Sequence, residues 1–429
     1  MNLVLNNFTY TSFIKKKISK PKNLKQLTKL LKKKHTIIGS KRSYGDSFIG
    51  NYSNISMLNF DKIIDLNTKE GIIEVQSGTT LDSINKVTIP KGLILDCSPG
   101  CKYVSVGGMI SNNISGKLSN KNYIINKIIS ITILDKNFKL KYCSQKKNRK
   151  FFKLVIGGRG KVGPIISAVL KLKKINSDKI VQKAYHFNNY NDFNKNIKLI
   201  KVNEYCVVWI NFLKKNFSGL FLCGNHLNYK GSLKYKNNDF KLPSLILSIL
   251  SYLVNTKTFT ILFNCLFRLS NFIKREKTVH LVDYYFPQNK IINWNEIFKK
   301  NGFVQFHFYF EKKNLLKIIT YIKKIFDENK LYSNFAILKF HNISKKKNKL
   351  SLSLDIPIKN NFKLIKKIVN KIVLKHKLEV NLAKDILLNN LNNKTLLSNN
   401  IFDIKNKKYL MKTSTSNLIE RMESKNENL

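Results

Sequence analysis

Lys384 stands in the stretch Leu382-Ala383-Lys384-Asp385, and Lys339 is framed by Ile337, Leu338 and Phe340. An ammonium brought into a closed site by apolar neighbours can stabilise negative charge as it develops, or hold an anionic or hydroxylated ligand. Three glycine-bearing segments precede these lysines: IIGSKRSYGD (Ile37 to Asp46), SPGCKYVSVGGMISNNISGK (Ser98 to Lys117) and IGGRGKVGPIISAVLKL (Ile156 to Leu172). Glycine lets the backbone come close to a ligand, and successive free N–H groups in such turns form concavities that take anions. Two such loops followed by a third glycine cluster fit a long ligand with a diphosphate in its middle. A dinucleotide has that form.

The third segment contains a misleading signal. Gly158, Gly160 and Gly163 spell G-x-G-x-x-G after an apolar run. In a nicotinamide-binding βαβ unit, the last glycine opens a helix that points at the phosphates. Here Pro164 follows at once, and Ile165 to Lys173 is β-branched and partly alternating, which predicts a strand. Asp178 lies at the distance expected of a ribose-binding acid, but in a polar turn with no helix before it. The nicotinamide reading is therefore rejected.

Arg42-Ser43-Tyr44-Gly45-Asp46, Pro99-Gly100, Val106-Gly107-Gly108, Ser115-Gly116-Lys117, the third glycine cluster and Leu382-Ala383-Lys384-Asp385 instead carry a resemblance. Weaker echoes are Val208-Trp209-Ile210-Asn211, Tyr285-Phe286-Pro287 and Leu338-Lys339-Phe340. Over nearly the whole chain the sequence resembles the PCMH-type flavoproteins, the fold shared by vanillyl-alcohol oxidase and the aldonolactone oxidases. Within them it is most similar to the decaprenylphosphoryl-β-D-ribose 2′-oxidase family.

That resemblance implies an α+β architecture. A PCMH-type FAD-binding domain would span residues 1–175, with 380–429 returning to it. A second α+β substrate domain, built on an antiparallel sheet, would span 176–379. It further implies FAD contacts at Arg42, Ser43, Tyr44, Gly45, Asp46, Gly100, Ser105, Val106, Gly107, Gly108, Asn112, Asn113, Ser115, Ile165 and Asn381. Arg42 stands where covalently flavinylated relatives carry a histidine, so the FAD is expected to be non-covalent. The catalytic set implied is Lys384, Tyr44, Lys339 and Lys117, with Lys384 opposite the charge that builds on the flavin pyrimidine ring. Two departures stand out: Ser115 replaces a family histidine and Asn381 a family tyrosine, which leaves the proton acceptor open. Gln305 and His307 share one strand face, although a lone histidine is more often structural than a base.

The implied reaction is FAD-dependent oxidation of a sugar secondary alcohol, foremost the 2′-hydroxyl of a polyprenylphosphoryl pentose. A separate short-chain reductase would then act on the keto product to complete an epimerisation. One alternative is an aldonolactone oxidase on a soluble sugar lactone; that family carries His-Trp where this chain has Leu382-Ala383. Another is a non-catalytic basic protein that keeps the flavin fold.

Composition narrows the partners. The 429 residues carry a formal charge of +53 and are 43% hydrophobic, enough for a large core. Lysine is spread along the chain instead of clustered as in a nucleic-acid footprint, so no dedicated nucleic-acid partner is expected. The field still favours anionic lipids and polyprenyl phosphates. Cys97 and Cys101 lack a completing pair for a metal, and six scattered cysteines suit a reducing compartment. Met1 to Asn7 has no basic region followed by an apolar core, so no signal peptide is expected. Leu242 to Phe267 is mostly apolar, but its first block is shorter than the ~20 residues a membrane span needs. With Lys274, Arg275 and Lys277 after it, the stretch reads as a buried or lid helix pair or a peripheral membrane contact. The expected location is thus cytoplasmic, or peripheral on the inner membrane.

The elements that must position these residues follow from periodicity. Helices are expected over Pro21–Lys34, Thr80–Lys86, Lys313–Phe326 and Phe362–His376. Strands are expected at His35–Ile38, Ile72–Val75, Gly92–Leu95, Cys206–Phe212, Gly219–Leu222, Val304–Phe310, Phe335–Phe340 and Ser351–Pro357, with a hairpin across Asp135-Lys136-Asn137.

Overall fold

Local signals decide the first elements of the computed structural model, which describes residues 3–117, 123–228, 231–341, 349–358, 361–384, 387–388 and 404–423. The Asn23 side chain accepts from the Gln26 N–H and starts the helix Leu24–Leu31, whose Leu27 and Leu31 are buried. Thr80 caps the helix Leu81–Thr88 in the same way. Side-chain caps of this kind are worth about 1 kcal/mol each. The helix Phe362–His376 forms over the expected residues, burying Ile365, Ile368, Val369 and Ile372 along one stripe.

Small α+β sheets build the N-terminal part. Strands Ile18–Ser19, Ser53–Ser56 and His35–Ile38 form a parallel set. A five-stranded antiparallel sheet runs Leu140–Ser144, Ile128–Leu134, Ile165–Lys171, Ile72–Gln76, Ile63–Asn67. The residues after the third glycine cluster are thus a central strand and not a helix. Gly163 has φ +138°, and a Cβ there would sit 2.0 Å from the Leu134 carbonyl oxygen, so only glycine fits. The core beneath this sheet also takes Tyr205, Leu281, Tyr285 and Phe286 from later in the chain. Near its end the chain comes back to the start: Ser414 pairs with His35, and Arg421 meets Asp46 at 3.0 Å.

An eight-stranded sheet, antiparallel throughout, holds the downstream residues. Its order is Glu276–His280, Lys179–Phe187, Gly219–His226, Tyr205–Ile210, Phe335–His341, Lys349–Pro357, Phe303–Glu311, Glu379–Val380. Alternation divides its faces. Val304, Phe306, Phe308, Ala336, Leu338, Leu352, Leu354 and Ile356 share one core cluster with the helices Leu315–Glu328 and Phe362–His376. Gln305, Lys339 and Asp355 point to the other side. Each buried apolar side chain contributes roughly 1.5–3 kcal/mol. The packed face can therefore carry the several kcal/mol that each buried ammonium opposite costs.

The apolar stretch folds as two helices, Ser244–Leu253 and Lys257–Ile273, bent by 103° at their break. No single helix among the described residues is long and apolar enough to cross a membrane. The pair is amphipathic in an unusual sense. Ser251, Asn255, Thr260, Asn264 and Asn271 are buried, while Leu245, Ile249, Tyr252, Leu262, Leu266, Leu269, Phe272 and Ile273 are exposed, Leu245 and Ile273 by about 70%.

Candidate functional site

Between the N-terminal sheets, the large sheet and the bent helix pair lies a cavity of about 1180 Å³. That exceeds the ~300–1,000 Å³ of ordinary small-molecule sites, as a dinucleotide plus a substrate would require. The first loop lines it with Arg42, Ser43 and Tyr44, and the second with Gly100, Ser105, Gly107, Gly108 and Asn112. The third contributes Arg159, Gly160, Gly163 and Ile165, and Lys117, Lys339 and Lys384 face the same space. All three glycine segments and all three singled-out lysines therefore meet at one cavity.

Six of the expected contacts do not line it. Asp46 is buried against the Arg421 guanidinium, so its carboxylate serves an ion pair between the chain's two ends. Gly45, beside it, is buried away from the cavity. Val106 is in the apolar core, and its N–H goes to the Thr79 carbonyl; the Gly107 N–H goes likewise to Ser77. These two amides serve the fold, not an anion. Asn113, at φ +43°, turns the chain after a short helix, with its N–H on the Ile110 carbonyl. Ser115 pairs as a β-bridge with Tyr123. The Asn381 amide nitrogen lies 3.1 Å from His307 Nδ1 and 3.4 Å from the Tyr309 hydroxyl, which fastens the turn before Lys384. Asp385 lies outside the described residues.

The residues present suit FAD. Ser40 Oγ, Arg42 Nε, Ser77 Oγ and Asn112 Oδ1 belong to cavity-lining residues and are buried without a hydrogen-bond partner among the described residues. Buried polar groups are nearly always satisfied, so a ligand rich in phosphate and hydroxyl oxygens is the missing partner. Gly39 and Gly107 let the walls close in: a Cβ on Gly39 would lie 2.4 Å from Ser105 Oγ, and one on Gly107 2.9 Å from Ser77 Cβ.

A charged cluster occupies the sheet side. Lys384 Nζ donates to Gln305 Oε1, and Gln305 Nε2 donates to Asp355 Oδ1 at 2.5 Å. Strand register explains the second bond, because Gln305 and Asp355 are directly opposed. Ser43 Oγ donates to the Ala383 carbonyl at 2.6 Å, tying the first glycine loop to the turn that bears Lys384. Tyr44 lies beneath the same ammonium, 5.1 Å from its ring centroid, and stacks on Phe8 at 5.4 Å. Lys339 Nζ reaches the Gly116 carbonyl at 3.3 Å, and Lys117 Nζ the Tyr284 carbonyl at 2.6 Å.

Burial dominates the electrostatics here. It pushes the Lys384 ammonium down to about 8, helped by Lys339 and opposed by Asp355. Lys117 is pushed down to about 7 by burial and then by the Lys339 charge, and Lys339 itself is lowered by burial. Asp355 moves the other way, up to about 6, against the Gln305 bond and the Lys384 charge. Both directions are those of charges removed from water. His307 is held well below its usual range by burial and by Lys384, Lys339 and His341, and it does not line the cavity. It is a packed structural group.

Sequence reasoning singled out Gln305 without a role and missed Asp355. The signal was present: in Ser351 to Pro357 the leucines mark one face, and Asp355 stands at a position of the other. It also missed the inner wall made by Leu250, Val254, Phe259, Phe263 and Phe267 of the helix pair.

Comparison with known proteins agrees with this geometry. Residues 18–144 match the family described as FAD binding domain. The chain is similar to the decaprenylphosphoryl-beta-D-ribose oxidase of Mycolicibacterium smegmatis, at 24% identity over 294 residues, 63% of this chain and 62% of that protein. It is also similar to the D-arabinono-1,4-lactone oxidases of Candida glabrata (22% identity, 37% of this chain, 31% of that protein) and Yarrowia lipolytica (28%, 23% and 19%). Each match spans less than two thirds of the relative's own length. The cofactor of the domain is FAD.

Proposed function

We propose that this protein, built on a PCMH-type FAD-binding domain, is an oxidoreductase that oxidises a secondary alcohol of a sugar, specifically the 2′-hydroxyl of a polyprenylphosphoryl pentose. The observation that carries the reading is the convergence of Lys117, Lys339 and Lys384 on one cavity that apolar side chains of the helix pair also line. Such a space pairs a cationic end, suited to a phosphorylated sugar, with an apolar channel suited to a prenyl chain.

Bound FAD supplies the hydride acceptor. The chain's residues do the rest. Lys384, aimed by Gln305 and by the Ser43 bond to its turn, offsets negative charge as it accumulates. Lys339 and Lys117 hold the anionic substrate. Phe259, Phe263 and Phe267 keep water from the cavity.

The lipid remains in the bilayer, so we place the protein peripherally on the membrane. The exposed apolar face of the helix pair would insert, and Lys274, Arg275 and Lys277 would meet anionic headgroups. The helix pair contains no Asp or Glu to oppose that attraction. A keto sugar is the product, and its consumer would be a short-chain reductase that completes an epimerisation.

The relatives also support an aldonolactone oxidase reading, which Leu382-Ala383 before Lys384 disfavours. Anaerobic mixing decides. Farnesylphosphoryl-β-D-ribose should bleach the bound flavin rapidly, and D-arabinono-1,4-lactone should not. Bleaching by the lactone alone reverses the assignment, and bleaching by neither favours a non-catalytic flavin-fold protein.

A further inference from the structure

We propose that Asp355 is the base that takes the proton from the substrate hydroxyl as it is oxidised. The proposal rests on the alcohol-oxidase reading above and supplies the acceptor that Ser115 leaves missing. In the step, the hydroxyl O–H bond breaks and its proton goes to the Asp355 carboxylate. The adjacent C–H bond breaks with its electron pair, which passes as hydride to bound FAD. The carbon is left as a ketone, the FAD is reduced by two electrons, and no other reactant is needed.

Placement supports this role. Among the described residues that line the cavity, the carboxylates are Asp283 and Asp355. Asp283 is a quarter exposed and paired with Lys290 at 3.2 Å. Asp355 is surrounded by protein yet open to the cavity on the sheet face that carries Gln305 and Lys339. A single amide separates it from Lys384: Gln305 accepts from the ammonium and donates to Asp355 Oδ1. That chain leaves the second carboxylate oxygen for a substrate hydroxyl, beside the ammonium that offsets charge on the reduced flavin.

Competing groups are poorly placed. Lys117 and Lys339 are engaged as donors to backbone carbonyls. The Tyr44 phenol is held protonated by burial and by Asp355 itself. His307 is not among the residues lining the cavity, and its Nδ1 lies 3.1 Å from the Asn381 amide nitrogen. The groups that face Asp355 are Gln305 across the strand pair, Tyr44 from the first loop and Lys384 from the last turn; Phe335, opposite on the other neighbouring strand, is uncharged. Burial raises Asp355 to about 6, which suits a base working near neutral pH.

The test is single-turnover reduction of the flavin by farnesylphosphoryl-β-D-ribose, without oxygen, across pH. Wild-type protein should show a rate that rises through an acid limb near 6. Asp355→Asn, which keeps the shape and the Gln305 contact, should lose that limb and slow by ~10²–10⁴-fold, the usual worth of a positioned base. Asp355→Glu should recover part of the rate with a displaced limb. A separate readout needs no turnover: infrared difference spectra should show a protonated-carboxyl band growing as pH falls through 6 in wild type and absent from Asp355→Asn.

If wild-type flavin is never reduced, the functional reading fails. If wild type is reduced and Asp355→Asn keeps its rate and limb, the base assignment alone is overturned. A limb that survives in Asp355→Asn and vanishes in Lys117→Met would transfer the role to Lys117.

Discussion

At the residue scale, Lys384 shows how burial turns a common side chain into a special one. The chain has 78 lysines and arginines, and among the described residues few are buried. Lys384 is enclosed, lowered to about 8, and fastened to Gln305. Lys384→Met should retain the fold and most of the FAD but slow flavin reduction by about 100-fold or more, the scale of one preorganised electrostatic contact. Anaerobic stopped-flow absorbance would measure it. The sign with pH follows from the direction of the shift. The ammonium is present below about 8 and lost above it, so the wild-type rate should fall on the alkaline side of 8. Lys384→Arg, always charged, should lose that alkaline limb at whatever rate its different shape permits. Ser43→Ala removes the bond to the Ala383 carbonyl that aims the same turn. A net hydrogen bond is worth about 0.5–1.5 kcal/mol, so the expected loss is about tenfold or less, with flavin content unchanged.

At the element scale, the bent helix pair has two faces with different tasks. Leu247 is buried and Leu250 lines the cavity, whereas Leu245, Ile249 and Ile273 are exposed. Changing Leu245, Ile249 and Ile273 to serine should weaken cosedimentation with anionic liposomes while leaving flavin absorbance and melting temperature intact. Leu247→Ala belongs to the other face. It should lower stability by about 2–5 kcal/mol, the range for truncating a buried leucine, as read by urea unfolding. If the three serine substitutions strip the flavin instead, the outer face is structural and membrane docking fails. The large sheet divides in the same manner: alternation gives one face to the core and the other to Gln305, Lys339 and Asp355.

At the scale of the whole molecule, the charge of +53 produces a field that acts on any anionic surface. Binding to anionic vesicles should therefore be strong in dilute buffer and decline as the Debye length shrinks from ~8 Å at physiological salt to ~3 Å at 1 M. The apolar insertion is insensitive to screening, so a residual fraction should sediment at 1 M salt and disappear in the triple serine variant. Complete release of wild-type protein by salt would leave only the basic field as the cause.

The sequence by itself determined the local and the chemical. Residue types told which loops can approach a phosphate, and Pro164 with the β-branched run after it excluded a helix at the third glycine cluster, because those properties reside in single residues and their immediate neighbours. Period-two and period-3.6 patterns located the strand Phe335–His341 and the helix Phe362–His376 to within a residue or so. Only the tertiary structure decided which polar residues meet. The direct opposition of Gln305 and Asp355 depends on strand register, and the bond from Ser43 to Ala383 joins residues 340 positions apart. Asp46 and Val106 look like ligand contacts in a linear motif, yet one closes an ion pair with Arg421 and the other fills the core. Which apolar residues of the helix pair line the cavity (Leu250, Phe259, Phe267) and which face water (Leu245, Ile249, Ile273) was equally hidden, since amphipathicity says that two faces differ but not which one the fold turns to water.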